Sequence, residues 1–139
     1  MLSLLAALLI LHGGVWRSVP GGSWATDQTT MSAVRKNIEP FVHKQANPYG
    51  RLPAWESYSF EYQGQVKDGR RFIFISGVCH EDDPPPTDAE TPHAGPLTPA
   101  DEYFLRQFHA PLDGGPCVFR VSYDPKRHKF FDFSYNGVG

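Results

Sequence analysis

The fold of this chain is decided near its end by the stretch Gly114-Gly-Pro-Cys-Val-Phe-Arg-Val-Ser-Tyr-Asp-Pro-Lys-Arg-His-Lys-Phe-Phe-Asp-Phe-Ser-Tyr-Asn-Gly137. Apolar and polar residues alternate on either side of a turn that begins at Asp124-Pro125. A period of two is typical of half-buried strands, so the stretch predicts an antiparallel hairpin. Its last strand is expected to place Asp132 on one face and three aromatic side chains on the other, at Phe131, Phe133 and Tyr135.

A second hairpin is predicted upstream of this one. In its first strand, about residues 56–66, polar residues alternate with aromatic ones at Tyr58, Phe60 and Tyr62. Asp68-Gly69 then supplies the positive φ that a tight turn needs. The next strand, residues 70–79, carries apolar residues on both faces, which is typical of a strand in the middle of a sheet.

A helix is predicted before these strands, because apolar residues recur there at helical spacing. The stripe consists of Met31, Val34, Ile38, Phe41 and Val42. Asp27 or Thr30 can cap the first turn. Pro40 lies inside the pattern and removes one backbone hydrogen bond, so we expect a kink or break near residues 37–39.

The region between the two hairpins is predicted to be a long irregular excursion. Residues 80–97 are acidic, rich in proline and without periodicity, so we expect an exposed loop there. Thr98-Pro99-Ala100-Asp101 then provides an N-cap, a first-turn proline and an acidic third position. These signals predict a short helix that ends at about His109.

These elements together predict an α+β domain in which one N-terminal helix packs on a four-stranded antiparallel sheet. Cys79 ends the second strand, Cys117 begins the third, and the chain has no other cysteine. If those strands are antiparallel neighbours, the two residues lie side by side. We therefore predict a Cys79–Cys117 disulfide that closes the excursion at its base.

The N-terminus has features of a secretory signal. Residues 1–11 form an apolar run too short to span a bilayer as a mature helix, and Ser23-Trp24-Ala25 offers small residues around a cleavage site. We predict a signal peptide over residues 1–25, one domain over residues 26–139, and a secreted or periplasmic protein without membrane association after cleavage. Because no Lys or Arg precedes the run, a buried helix and an uncleaved anchor remain open as alternatives.

The net charge of the chain limits the classes of molecule that it is expected to bind. The formal net charge of the 139 residues is -2, so the chain has no basic field of the kind that nucleic-acid binding needs. The expected partner is therefore an unidentified protein or small ligand, and nucleic acid is excluded.

The order helix, strand, turn, strand, excursion, strand, turn, strand resembles the cystatin fold. Cystatin-type protease inhibitors carry Gln-x-Val-x-Gly at the first hairpin and Pro-Trp at the second inhibitory turn. Here the first turn is Gln65-Val66-Lys67-Asp68-Gly69, which has the letters but not the spacing. The second, Asp124-Pro125-Lys126-Arg127-His128, has no Trp, so neither inhibitory motif is matched.

The closing hairpin also resembles the ends of small exported bacterial proteins of unassigned function. Their pattern is Gly-Gly-x-Cys-x-Phe, then Tyr-Asp-Pro, then Asn-Gly. The matching residues are Gly114, Gly115, Cys117, Phe119, Tyr123, Asp124, Pro125, Asn136 and Gly137. This resemblance implies a family and no activity.

No catalytic, metal or cofactor site is predicted. The cysteines are expected to be bridged, and no Gly-x-Ser-x-Gly elbow exists. Several potential ligands match no defined metal-binding loop, namely His80, Glu81, Asp82, Asp83 and His93. Acid–base chemistry would have to use Asp124, Asp132, His109 or His128, and only if the sheet curls around a pocket.

Two hypotheses for the function follow. The first is an exported non-enzymatic binding or inhibitor module, whose candidate binding surface is aromatic and consists of Tyr58, Phe60, Tyr62, Phe131, Phe133 and Tyr135. The alternative is a pocket protein of the NTF2-like kind, either an enzyme or a small-ligand carrier. A polar pocket that contains Asp132 or a histidine would favour the alternative.

Overall fold

The computed structural model describes residues 14–47, 50–80 and 117–135. Within them one α-helix packs with a five-stranded mixed sheet, so the predicted α+β class is confirmed. The elements in chain order are β1 Trp16–Ser18, α1 Gln28–His43, a short 3₁₀ helix Trp55–Ser57, β2 Tyr58–Lys67, β3 Arg70–Cys79, β4 Val118–Asp124 and β5 Lys129–Tyr135.

The prediction of a four-stranded, fully antiparallel sheet is wrong in both respects. The strands lie side by side in chain order, and β1 runs parallel to β2 whereas the other pairs are antiparallel. The additional strand, β1, lies inside the region predicted to be a signal peptide. Three residues are too few for alternation to be visible in a sequence, and β1 forms only because the edge of β2 is there to pair with it.

The strands β2 and β3 form the predicted hairpin. Their register runs from Tyr58↔Cys79 to Lys67↔Arg70, so only two residues make the turn. Asp68 and Gly69 both have positive φ, 53° and 74°, as the tight hairpin turn of this kind requires.

The helix α1 begins at the predicted cap and continues past its proline. The Asp27 carboxylate accepts a hydrogen bond of 2.7 Å from the Thr30 amide. The buried residues are Met31, Val34, Ile38 and Val42. The expected break is not observed, because buried residues on both sides of Pro40 hold the helix to the sheet while Pro40 itself is exposed.

The core lies between α1 and one face of the sheet and is dominated by aromatic rings. Trp55 is the centre of this group, with ring centroids 5.5 Å from Tyr58, 5.1 Å from Phe60 and 6.1 Å from Phe119. Tyr58, Phe60 and Phe119 are completely buried. The 3₁₀ helix therefore carries Trp55 into the space between α1 and the sheet.

A β-bulge in β5 changes the predicted face of one aromatic residue. Arg120 pairs with Ser134, but Ser122 pairs with Phe131, so β5 has one residue more than β4 between these pairs. Asp132 has a φ of 52° and lies in this bulge. Phe133 therefore faces the core, whereas Phe131 contacts Phe72 on the opposite face. The prediction that Phe131 and Phe133 share a face is wrong, because strict alternation assumes a regular strand.

The predicted disulfide is confirmed. Cys79 and Cys117 are bonded, with Cα atoms 4.9 Å apart. The bond extends the register of β3 and β4, which ends at the pair Val78↔Val118. It joins the residue that ends β3 to the residue that precedes β4.

The predicted acidic loop after His80 and the predicted helix to His109 lie outside the described residues, as does the segment before Gly14. Among the residues that are described, no helix is both long enough and apolar enough to cross a membrane.

Candidate functional site

The sheet carries a concave surface on the face opposite α1, which we call the outer groove. It has a volume of about 790 Å³ and extends over β2, β3, β4 and β5 near the two hairpin turns. The lining residues are Gln65, Lys67, Asp68, Arg70, Arg71, Phe72, Phe74, Arg120, Ser122, Asp124, Arg127, Phe131, Asp132 and Ser134. A volume of this size is within the range of ligand-binding clefts.

Three phenylalanines form the apolar part of the outer groove. Phe72 and Phe74 lie two residues apart on β3 and so project from the same face. Phe131 contacts Phe72 edge-on, with ring centroids 6.0 Å apart, and keeps 38% of its surface exposed. Only two large hydrophobic side chains among the described residues are this exposed, and the other, Val66, does not line the groove.

Cationic side chains outnumber acidic ones around the outer groove. The cations are Lys67, Arg70, Arg71, Arg120 and Arg127, and the acids are Asp68, Asp124 and Asp132. The excess arises because the β2–β3 and β4–β5 turns lie at the same end of the sheet. A second concavity of about 610 Å³ lies between those turns and adds Lys126 to the cationic group. This end of the molecule therefore favours an anionic group.

The side chain of Asp124 is committed to its own turn. Its Oδ1 accepts hydrogen bonds from the amides of Lys126 at 2.9 Å and Arg127 at 3.0 Å. These bonds, that from Arg127 first, together with the nearby Arg127 and Arg70 charges, lower the pKa of Asp124. A carboxylate whose pKa is lowered is a weak proton acceptor at neutral pH, so Asp124 does not suit the role of a general base.

Arg120 lies deeper in the outer groove than the arginines of the turns. Its side chain projects from the middle of β4, where Arg120 pairs with Ser76 of β3 on one side and Ser134 of β5 on the other. Burial lowers the pKa of its guanidinium. The group nevertheless remains cationic at neutral pH, because the ordinary pKa of an arginine lies far above 7.

The structure does not bring the six residues of the predicted binding surface together. Tyr58 and Phe60 are completely buried against α1, and Tyr62 lies beside them, partly buried. Phe133 and Tyr135 are half-buried on that same side. Of the six, only Phe131 lines the outer groove.

The candidate acid–base residues are brought together only in part. Asp124 and Asp132 both line the outer groove, whereas His128 lies by the core side of β4, with its Nδ1 3.4 Å from the Tyr123 hydroxyl. Burial, and secondarily the Asp124 charge, raises the pKa of Tyr123, which therefore stays protonated. His109 lies outside the described residues.

Two features of this face are not among the predictions made from the sequence. The first is the cationic group, which could have been found by noting that Lys67, Arg70, Lys126 and Arg127 flank two turns at one end of a meander. The second is a hydrogen bond of 2.7 Å between the Ser59 hydroxyl and His80 Nε2. This pair lies near the disulfide and does not line the outer groove.

The part of the chain that the structure describes holds no group of three or more side chains arranged to bind a metal ion.

Comparison with known proteins finds no matching family, no matching curated protein and no matching solved structure. The suspected resemblances to cystatins and to small exported bacterial proteins therefore stay predictions.

Proposed function

We propose that the protein is an exported, non-enzymatic binding module that holds an acidic segment of a partner protein in the outer groove. The observation that carries this proposal is the combination of an exposed aromatic floor with an excess of cations at one end of the sheet. Export is supported by the disulfide, since such bonds persist mainly in oxidising compartments.

The charges of the groove favour a ligand with carboxylates. Asp124 is neutralised locally by the amides of its turn and by Arg127, whose Nε lies 3.9 Å from Oδ2. Arg70 and Arg71 remain exposed beside it, at the start of β3. Guanidinium groups bind carboxylates in a paired geometry, which gives direction as well as attraction.

The aromatic floor favours a ligand that also presents an apolar side chain. This floor consists of the exposed Phe131 and the half-buried Phe72, which lie next to the cationic side chains. Aromatic and arginine side chains are the residues that contribute most to protein–protein binding. A segment that alternates acidic and apolar residues would satisfy both parts of the groove, and its extended form would fit an open cleft.

The proposal is tested with a labelled peptide Glu-Phe-Glu-Leu-Glu, its Lys-for-Glu counterpart and its Ser-for-Phe/Leu counterpart. We expect the acidic and apolar peptide to bind best, with an affinity that falls as salt is added. No binding of it at about 1 mM, or equal binding of all three peptides, would contradict the proposal.

Two pairs of variants locate the site. Phe131→Ser is compared with Val66→Ser, because both residues are exposed and only Phe131 lines the groove. Arg70→Glu is compared with Lys36→Glu, an exposed position on α1. We expect about a tenfold loss of affinity, roughly 1.4 kcal/mol, for the first member of each pair and no change for the second.

The alternative, a small-ligand carrier or enzyme of the NTF2-like kind, is supported by one observation. Asp132 lines the outer groove beside Ser122 and Ser134, as that hypothesis requires of a polar pocket. The test is binding of a small aromatic carboxylate such as phenylacetate. Binding of this acid that Asp132→Asn alters, together with no binding of the peptides, would favour the alternative.

A further inference from the structure

Residues 14–25, which we call the edge segment, follow β2 along the side that does not pair with β3. Phe60 donates its amide proton to the Val15 carbonyl at 2.8 Å. The Val19 amide donates to the Tyr62 carbonyl and the Ser23 amide to the Gly64 carbonyl, each at 2.8 Å. The edge segment therefore hydrogen-bonds along much of the length of β2.

Side chains of the edge segment are part of the core. Trp16 is 7% exposed and stacks on Phe60 with ring centroids 4.3 Å apart, and Val19 is 5% exposed. The indole of Trp24 donates to the Gln65 carbonyl at 2.9 Å. The guanidinium of Arg35, on α1, lies 5.7 Å from the centroid of the Trp16 ring, so the segment also contacts the helix.

Glycines occur where the edge segment and β2 approach most closely. A Cβ on Gly14 would lie 1.7 Å from the Tyr58 carbonyl oxygen, and one on Gly22 would lie 2.7 Å from that of Gly64. On the side of β2, a Cβ on Gly64 would lie 2.3 Å from the Trp24 carbonyl oxygen. Backbone atoms cannot move away from a Cβ as the end of a flexible side chain can. Glycine is therefore needed on both the edge segment and β2 for the two to approach this closely.

We propose that the edge segment from Trp16 onward belongs to the mature protein, so that any processing that removes the apolar N-terminal run ends at or before residue 15. A cut after Ala25, which the small residues there suggest, would remove the ring that covers Phe60. It would also leave the outward-facing donors and acceptors of β2 unpaired, and an open edge of this kind invites pairing with other chains.

The processing site is tested by exporting the full 139-residue chain from a secreting bacterial host and determining its first residue by N-terminal sequencing and intact mass. A first residue at or before Trp16 supports the proposal. A first residue after Trp16, including Thr26, overturns it.

Docking of the edge segment is tested separately by hydrogen exchange on the full chain. We expect the amides of Val19 and Ser23 to exchange on the order of a hundredfold more slowly than unprotected amides. Gly64→Ala should abolish this protection and leave β4 protected. Exchange of Val19 and Ser23 in the unaltered protein at the unprotected rate would overturn the proposal.

If Gly64→Ala also removes the protection of β4, the milder variant Trp24→Phe is used instead. It removes only the indole donor to the Gln65 carbonyl. The expected result is then faster exchange at Ser23 with β4 unchanged. An identical exchange rate at Ser23 in both proteins would count against docking.

Discussion

At the scale of single residues, backbone conformation at a few positions determines which side chains reach the outer groove. Asp132 adopts a φ of 52°, a region that few side chains other than those of Asn and Asp enter readily. Its position in the bulge leaves Phe131 on the outer face and Phe133 on the core face. One residue of unusual conformation thus contributes an aromatic ring to the groove.

Asp132→Val should destabilise the protein by about 1–2 kcal/mol, because a β-branched side chain is strained in the left-handed region. The matched control is Ser134→Val, an exposed position two residues later in the same strand, which should change the free energy of unfolding by less than about 0.5 kcal/mol. Equal costs in urea denaturation would show that the backbone of Asp132 is not constrained.

Asp124 should make stability depend on pH in the acid range. Its pKa is lower in the folded protein than the value of about 3.9 expected in the unfolded chain, so its contribution is complete above that value and is lost as the pH falls through the folded pKa. Asp124→Ala should cost about 1 kcal/mol at pH 7 and less in strong acid. Asp124→Asn, which keeps an acceptor, serves as the control. A cost of Asp124→Ala that does not change with pH would contradict this assignment.

At the scale of elements, the disulfide fixes the central pair of strands. Cys79 ends β3 and Cys117 precedes β4, so the bond closes the sheet at the end opposite the hairpin turns. The outer groove lies at the turn end, and the constraint is therefore remote from it. Its expected effect is on stability rather than on binding.

The double variant Cys79→Ala/Cys117→Ala should lower the free energy of unfolding by about 4 kcal/mol. This is the chain-entropy value for a sequence separation of 38 residues. Denaturation of the unaltered protein with and without reductant provides the control, since reduction should give a similar loss. A loss below about 1 kcal/mol would mean that the unfolded chain is already compact around this link.

At the scale of the whole molecule, aromatic rings hold the helix, the sheet and the edge segment together. Trp55 contacts rings of β2 and β4, and its centroid lies 6.1 Å from that of His43 at the end of α1. Phe60, which also contacts Trp55, stacks on Trp16 of the edge segment. The core is thus continuous from the edge segment to β4.

Trp55→Ala should therefore destabilise the whole domain, by about 3–5 kcal/mol, the usual cost of removing a buried tryptophan. The unfolding transition should stay cooperative and move to a lower temperature. Val66→Ala, at an exposed position of β2, is the control and should have almost no effect. A small loss for Trp55→Ala would indicate that the helix and the sheet are held together elsewhere.

The elements with a clear period could be predicted from the amino-acid sequence, as could the bond between the two cysteines. Alternation located β2, β3 and β4, helical spacing located α1, and Asp68-Gly69 fixed the first turn, because each of these depends on residues near one another in the chain. By contrast, β1, the bulge at Asp132 and the cationic end of the sheet become visible only in the folded molecule. Each of these arises where distant segments meet: β1 needs the edge of β2, the bulge is defined by the register with β4, and the cations of two turns become neighbours only when the strands pair.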